Sequence, residues 1–165
     1  DQVIGFKPHE TMLLIFVVNI AAAAGAFLFC YYEDRIGHRR ALAVTLLAWI
    51  AMIVVAVAST SRPAFWVAAT LAGLCMGSSQ SCGRALVGAM APPARLAEFF
   101  GLWAFATRAA AVIGPLTYGL VTWLTDGNHR LAILITGLFF VAGLLLLARV
   151  DVERGVRAAA ATERA

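Results

Sequence analysis

The chain has 165 residues, of which 62% are hydrophobic and only 13% charged, with a mean hydropathy of +0.85. A soluble domain has about 45–50% apolar and about 25% charged residues, and a body this small buries only about 70% of its surface. The excess apolar area therefore excludes an ordinary soluble enzyme, a disordered chain, a nucleic-acid-binding module and a disulfide scaffold, and points to an all-α integral membrane protein with the lipid bilayer as its surroundings.

Five apolar segments follow in chain order. Residues 11–32 hold no Asp, Glu, Lys or Arg over 22 positions, long enough at about 1.5 Å per residue to cross a hydrocarbon core of about 30 Å. A polar loop over 33–40 separates them from a second segment, 41–61, which ends at Ser61-Arg62-Pro63. The third, 64–91, contains Arg84 and stops at Pro92-Pro93, since proline cannot continue a helix. The fourth, 96–124, has Glu98 near one end and Arg108 near its middle; Asp126-Gly127-Asn128 is a turn signal. The fifth is 131–148, and the tail 149–165 reads as polar and Ala/Arg-rich. Membrane strands need only about 9–11 residues of alternating polarity. These runs are twice as long and apolar on every face, so they are helices whose backbone groups are satisfied within the segment.

Orientation follows from the cations in the short loops. Arg35, Arg39, Arg40, Arg95, Arg149, Arg154, Arg157 and Arg164, eight in all, lie at one set of helix ends, and Lys7, Arg62 and Arg130, three in all, at the other. That places the 33–40 loop, the 92–95 loop and the C-terminus in the cytoplasm. An odd number of spans starting outside, in a chain that begins with Asp1, is the expectation for a piece of a longer protein. Trp66 and Trp123, near the outer ends, fit an aromatic belt.

Small residues are dense: the Ala21–Gly25 run, Gly73 with Gly77, and Gly114 with Gly119. All read as close helix packing. Cys30, Cys75 and Cys82 lie inside apolar runs, without a CxxC pair or Cys/His metal spacing, and read as small buried hydrophobes. No metal or cofactor is expected. His9, His38 and His129 fall in loops, where none is placed to relay protons across the membrane.

The polar residues within the segments carry the functional signal. A cation at the bilayer midplane costs at least about 2.5–3.5 kcal/mol, so Arg108 serves either a solute site or a charge pair, and no carboxylate lies at its depth in this chain. Gly73, Gly77, Gln80 and Arg84 are spaced four, three and four apart, as one helix face requires. Arg84 is expected to pair with Glu98 at the start of the next helix. Gln80 and Asn19, near the midplane, read as interhelical hydrogen bonds or as ligand contacts. Gly114-Pro115 removes one backbone hydrogen bond and predicts a kink, passive or part of a gate.

Two motifs resemble a known family. Glu33-Asp34-Arg35-Ile36-Gly37-His38-Arg39-Arg40 is similar to the DRxGxRR signature loop of the major facilitator superfamily, with Asp34, Arg35, Gly37, Arg39 and Arg40 as the matching residues. The stretch from Gly73 to Arg84, then Ala97-Glu98-Phe99-Phe100-Gly101, Arg108 and Gly114-Pro115, resembles the bacterial branch of that superfamily related to the autophagy-linked vacuolar amino-acid effluxer. Cys82-Gly83-Arg84 departs from the small residue and Ser expected before the Arg, and Arg108 stands where the family more often has Lys. Because Arg is bulkier and bidentate, ligand preference is what these departures affect.

The resemblance covers about residues 11–148 as helices eight to twelve of a twelve-helix bundle, the C-terminal half in part, with the N-terminal half of the same chain as its partner. It implies a secondary active transporter of a small-molecule solute, an amino-acid exporter in a bacterial inner (plasma) membrane, working by alternating access and not as an enzyme. Arg108 would draw an anionic group, with Gln80 and Asn19 adding hydrogen bonds. The alternatives are an exporter of another substrate class, such as drugs or metabolites, and a non-transporting scaffold. A membrane-embedded enzyme is disfavoured because the sequence has no HExxH, no paired intramembrane carboxylates and no Ser/His/Asp set.

Overall fold

The structure is a computed structural model that describes residues 8–58 and 61–163. Lys7 and Arg164, counted above for orientation, lie outside the described residues. The fold is helical throughout: α1 (Pro8–Ile36), α2 (His38–Ala58), α3 (Arg62–Met90), a 3-10 turn (Pro93–Arg95), α4 (Leu96–Leu124), α5 (His129–Ala148) and α6 (Val152–Glu163), with no strand among the described residues.

The 33–40 junction and the tail differ most from the sequence expectation. The 33–40 loop is absent as a loop. Helix α1 runs on to Ile36 and α2 starts at His38, so only Gly37 lies between them. It does so at φ +85°, in the left-handed region that glycine enters without a Cβ penalty. Gly37 donates its N–H to the Glu33 carbonyl at 2.8 Å, and its own carbonyl accepts from Ala41 at 3.0 Å, which satisfies both flanking helix ends. Charge alone suggested a loop; the last turn of a helix holds charged residues equally well where it leaves the hydrocarbon. The tail after Arg149 is also structured, since α6 occupies most of it. Asp151 caps α6 by accepting from the Arg154 N–H at 2.9 Å.

Among the described residues four helices, α1, α2, α4 and α5, are long and apolar enough to cross a membrane. Helix α3 has 29 residues, as many as α1. The Ser78-Ser79-Gln80-Ser81 stretch and Arg84 lower its hydropathy. Its place in the bundle explains the tolerance: α1, α2 and α4 all pack against it. Ser61 caps its start, with the side-chain oxygen accepting from the Ala64 N–H.

Helix α1 meets α3 through small residues. A Cβ on Gly73 would fall 2.5 Å from the Val18 carbonyl oxygen, one on Gly77 would overlap the Ala22 carbonyl, and one on Gly25 the Leu74 backbone. The expected packing role holds for these three glycines. It fails for Gly114 and Gly119, where a Cβ would meet nothing within 4 Å. At one end of this pair of helices Arg62 and Glu10 lie 3.5 Å apart. Helix α2 joins α3 through the Trp49 Nε1–H, which donates to Ser79 Oγ at 2.8 Å, and joins α5 through the Trp49–Phe140 stack at 4.8 Å. Helix α4 rests on α5, where Tyr118 Oη and His129 Nδ1 are 2.9 Å apart.

Hydroxyls inside the bundle are satisfied locally. Thr45, Thr70, Ser78, Ser79, Thr117 and Thr136 each donate to a carbonyl three or four residues back. Among the described residues no buried side-chain polar atom lacks a partner, as an apolar surrounding requires.

Candidate functional site

The intramembrane polar residues named from sequence lie on three helices and are all exposed in this chain. Asn19 is on α1, Gln80 and Arg84 on α3, and Arg108 on α4. Arg108 is about midway along α4, between the exposed Ala104 and Val112 one turn to either side. It makes no hydrogen bond or ion pair among the described residues. The single buried residue of α4, Val121, lies well beyond it. Asn19 does not form the expected interhelical bond: its Nδ2 donates back to the Ile15 carbonyl at 2.8 Å, one turn earlier on the same helix.

The narrow polar face read on the third segment divides. Gly73 and Gly77 are covered by α1, while Gln80 and Arg84 continue an exposed stripe from Met76 at four-residue spacing. One helix face in a wheel projection is wide enough to be half covered by a neighbour.

The expected Arg84–Glu98 pair is replaced by other contacts. Glu98 Oε2 accepts from Arg95 Nε at 2.9 Å and from Nη2 at 2.6 Å. Arg84 instead lies over the Trp103 ring, with its guanidinium carbon 5.2 Å from the centroid. Depth accounts for the change. Arg84 is six residues, or about 9 Å, inside the end of α3, whereas Glu98 sits on the first turn of α4 with Arg95 just before it. Both Arg95 and Glu98 are exposed, so water screens the pair and it adds little to stability. A cation over Trp is favoured by the ring quadrupole and matters more where water is scarce.

Gly114 and Pro115 line a cavity of about 520 Å³ between α2, α4 and α5. Trp49, Phe140, Tyr118 and Thr136 form other parts of its wall. Pro115 lies within an unbroken α4. With no side chain at Gly114 and no N–H at Pro115, the wall leaves room for a guest and is almost wholly apolar, within the size range of small-molecule sites.

The signature residues split by role at the Gly37 end. Arg35 donates to the Tyr31 hydroxyl and its guanidinium lies over that ring. Arg39 donates to the Ala148 carbonyl at 2.6 Å, capping the C-terminus of α5 where cations are favoured. Asp34 and Arg40 are exposed. Glu33, which no sequence pattern singles out, is only 3% exposed and meets His38 Nδ1 at 2.7 Å. Its charge suggested a solvated loop; its place on the last inward turn of α1 could be found only once the single-residue junction was known.

Comparison with known proteins gives the family. A family model described as "Vacuole effluxer Atg22 like" matches residues 1–160. An MFS-type transporter of Bacillus subtilis, YxiO, is 25% identical over 150 residues, covering 91% of this chain and 35% of the relative. Autophagy-related protein 22 of Cryptococcus neoformans is 38% identical over 99 residues, 60% of this chain and 17% of the relative. Autophagy-related protein 22-1 of Penicillium rubens is 26% identical over 172 residues, 96% of this chain and 29% of the relative. The chain thus spans about a third or less of the length of these relatives, and no solved structure matches it. With nearly its whole length matched and its apolar helices in place, this integral membrane chain belongs to the vacuole effluxer Atg22-like family of facilitator-type transporters.

Proposed function

We propose that the chain is the C-terminal portion of a secondary transporter that moves a small solute, with amino-acid export as the substrate class, by alternating access between two halves. Arg108 carries this reading. A guanidinium midway along a helix and too far from either end to reach headgroups costs at least about 2.5–3.5 kcal/mol in hydrocarbon. It lacks a partner among the described residues, so the reading gives it an aqueous passage completed by the N-terminal half. There it attracts a carboxylate bidentately, and Gln80 and Asn19 supply weaker polar contacts. Arg84, lying over Trp103, positions the flank of α3 and is not assigned to the solute.

In this reading α3 is a fifth span: Ser78 is buried among its neighbours, and the exposed Gln80 faces the passage. The Gly37 end faces the cytoplasm of a bacterial cell. Among the described residues that end carries Arg35, Arg39, Arg40, Arg95, Arg149, Arg154 and Arg157, seven against the two at the other end, Arg62 and Arg130.

The test is transport of radiolabelled amino acids by the full-length parent in proteoliposomes. Arg108→Ala is expected to lower uptake or efflux at least about tenfold, the loss of a charge-assisted contact worth about 1.5–3 kcal/mol. Arg108→Lys should recover part of it. Unchanged affinity and rate in Arg108→Ala would end the proposal.

One observation favours a second reading, an exporter of apolar solutes: the almost wholly apolar cavity beside Pro115. Filling it with Thr136→Trp would then abolish export of a hydrophobic dye, whereas amino-acid export would persist if Arg108 marks the site.

A further inference from the structure

Glu33 is a carboxylate on the final turn of α1, only 3% exposed. Its environment comes from three helices. From α2 it meets the His38 imidazole at 2.7 Å through Nδ1. From α3 the Cys82 thiol lies near it, with Thr45 of α2 also close by. Cys82 and Thr45 are both fully buried, at 0% exposure. The Thr45 hydroxyl donates to the Ala41 carbonyl at 3.1 Å and gives Glu33 no charge.

The nearby charged groups are engaged elsewhere or exposed. Arg35 is held by Tyr31 and Arg39 by the Ala148 carbonyl, while Arg40 and Asp34 are exposed. Among the described residues His38 is thus the one group that can place a positive charge against Glu33. Its side chain is 35% exposed, so the ring is reached by solvent as well as by the buried carboxylate.

We propose that Glu33 and His38 form a proton-binding site at the Gly37 end of the bundle, in which a proton taken from solvent by the His38 imidazole locks the ends of α1, α2 and α3 together. The balance is simple. One proton leaves water and adds to the free imidazole nitrogen, and no covalent bond other than N–H forms or breaks. The imidazolium then holds Glu33 by a charge-assisted hydrogen bond, stronger than the neutral one. When the proton leaves, the carboxylate stays buried against a thiol and a neutral ring, and a buried charge without a counter-charge is destabilising. The junction is short: with only Gly37 between α1 and α2, a shift of either helix is transmitted at once to the other. Imidazole is the side chain whose charge changes near neutral pH, so closure of this end is expected to weaken as pH rises through that range. The consequence for transport rests on the reading given above; the proton site itself does not.

Cys82 provides a readout that needs no solute. In the full-length parent in liposomes, with Cys30→Ser and Cys75→Ser and any upstream cysteines replaced, its alkylation by a small maleimide is followed between about pH 6 and about pH 8. Rates are normalised to those of glutathione, which removes the ordinary gain in thiolate. Normalised labelling is expected to rise several-fold with pH in this background. His38→Arg, which supplies a fixed cation, should keep Cys82 protected at both pH values, and Glu33→Gln should remove the pH dependence. A flat normalised profile without further change, or the same rise in His38→Arg, would overturn the proposal. These outcomes are independent of whether Arg108→Ala impairs transport.

Discussion

At the scale of single residues, the close approach of α1 and α3 makes the strongest demand. A side chain at Gly77 would occupy the space of the Ala22 backbone, so Gly77→Leu must force the helices apart. Overpacking of this kind costs about 1–3 kcal/mol and can cost more when backbone must move. The expected outcome is a lower thermal midpoint in detergent, read by fluorescence-detected size exclusion, while Gly119→Leu, where a Cβ meets nothing within 4 Å, leaves the midpoint nearly unchanged. Equal losses from both would contradict the assignment. Gly37 poses a conformational and not a packing demand. Its φ of +85° strains any L side chain, and Gly37→Val is expected to cost at least about 1–2 kcal/mol. Arg84→Gln should cost less, about 0.5–2 kcal/mol, through the lost stack on Trp103. Trp103 fluorescence would report it directly as a shifted emission maximum.

At the scale of elements, α6 is the piece that composition concealed. An Ala/Arg-rich tail has no apolar run to announce a helix, yet 12 residues form one. Asp151 caps it, and Gly155 brings it against Met90 at the end of α3; a Cβ at Gly155 would fall 2.5 Å from the Met90 methyl carbon. Ala159 is buried on the same element. A Gly155→Leu variant is therefore expected to release α6 from α3, seen as faster proteolysis after Arg154 and Arg157 with the spanning helices intact. Unchanged cleavage would show that α6 is held by something other than this contact. The boundaries of α4 matched the 96–124 segment because prolines stop the chain before it and a turn follows it. Helices α1 and α2 run into the 33–40 stretch because charged residues end a hydrophobic run without ending a helix.

At the scale of the whole molecule, α3 sits among α1, α2 and α4, whereas α4 leaves most of its surface uncovered. Exposed apolar side chains are numerous, among them Phe27, Leu102, Phe105, Leu116 and Trp123. Such a surface suits lipid or further helices. The orientation proposed above is checked by fusing a reporter active only in the cytoplasm after residue 165 of the parent: it is expected to be active there and silent when inserted at the 126–128 turn. The reverse pattern would overturn the orientation and move the Glu33–His38 site to the opposite face.

The sequence by itself determined the membrane class, the helical state and the family. Each follows from amounts and periods: hydrocarbon demands long uncharged runs, and backbone groups in hydrocarbon must be satisfied within their own segment. The Gly73–Gly77 contact was legible for the same reason, since spacing along one helix fixes a face. What lies across that face was not. Only the tertiary structure decided that Glu98 takes Arg95 and Arg84 takes Trp103, that Asn19 turns back on its own helix, and that Glu33 is buried beside His38. Those outcomes depend on the depth and rotation of one helix against another, which are set by the packing of many small contacts at once, and a local pattern of residues does not specify them.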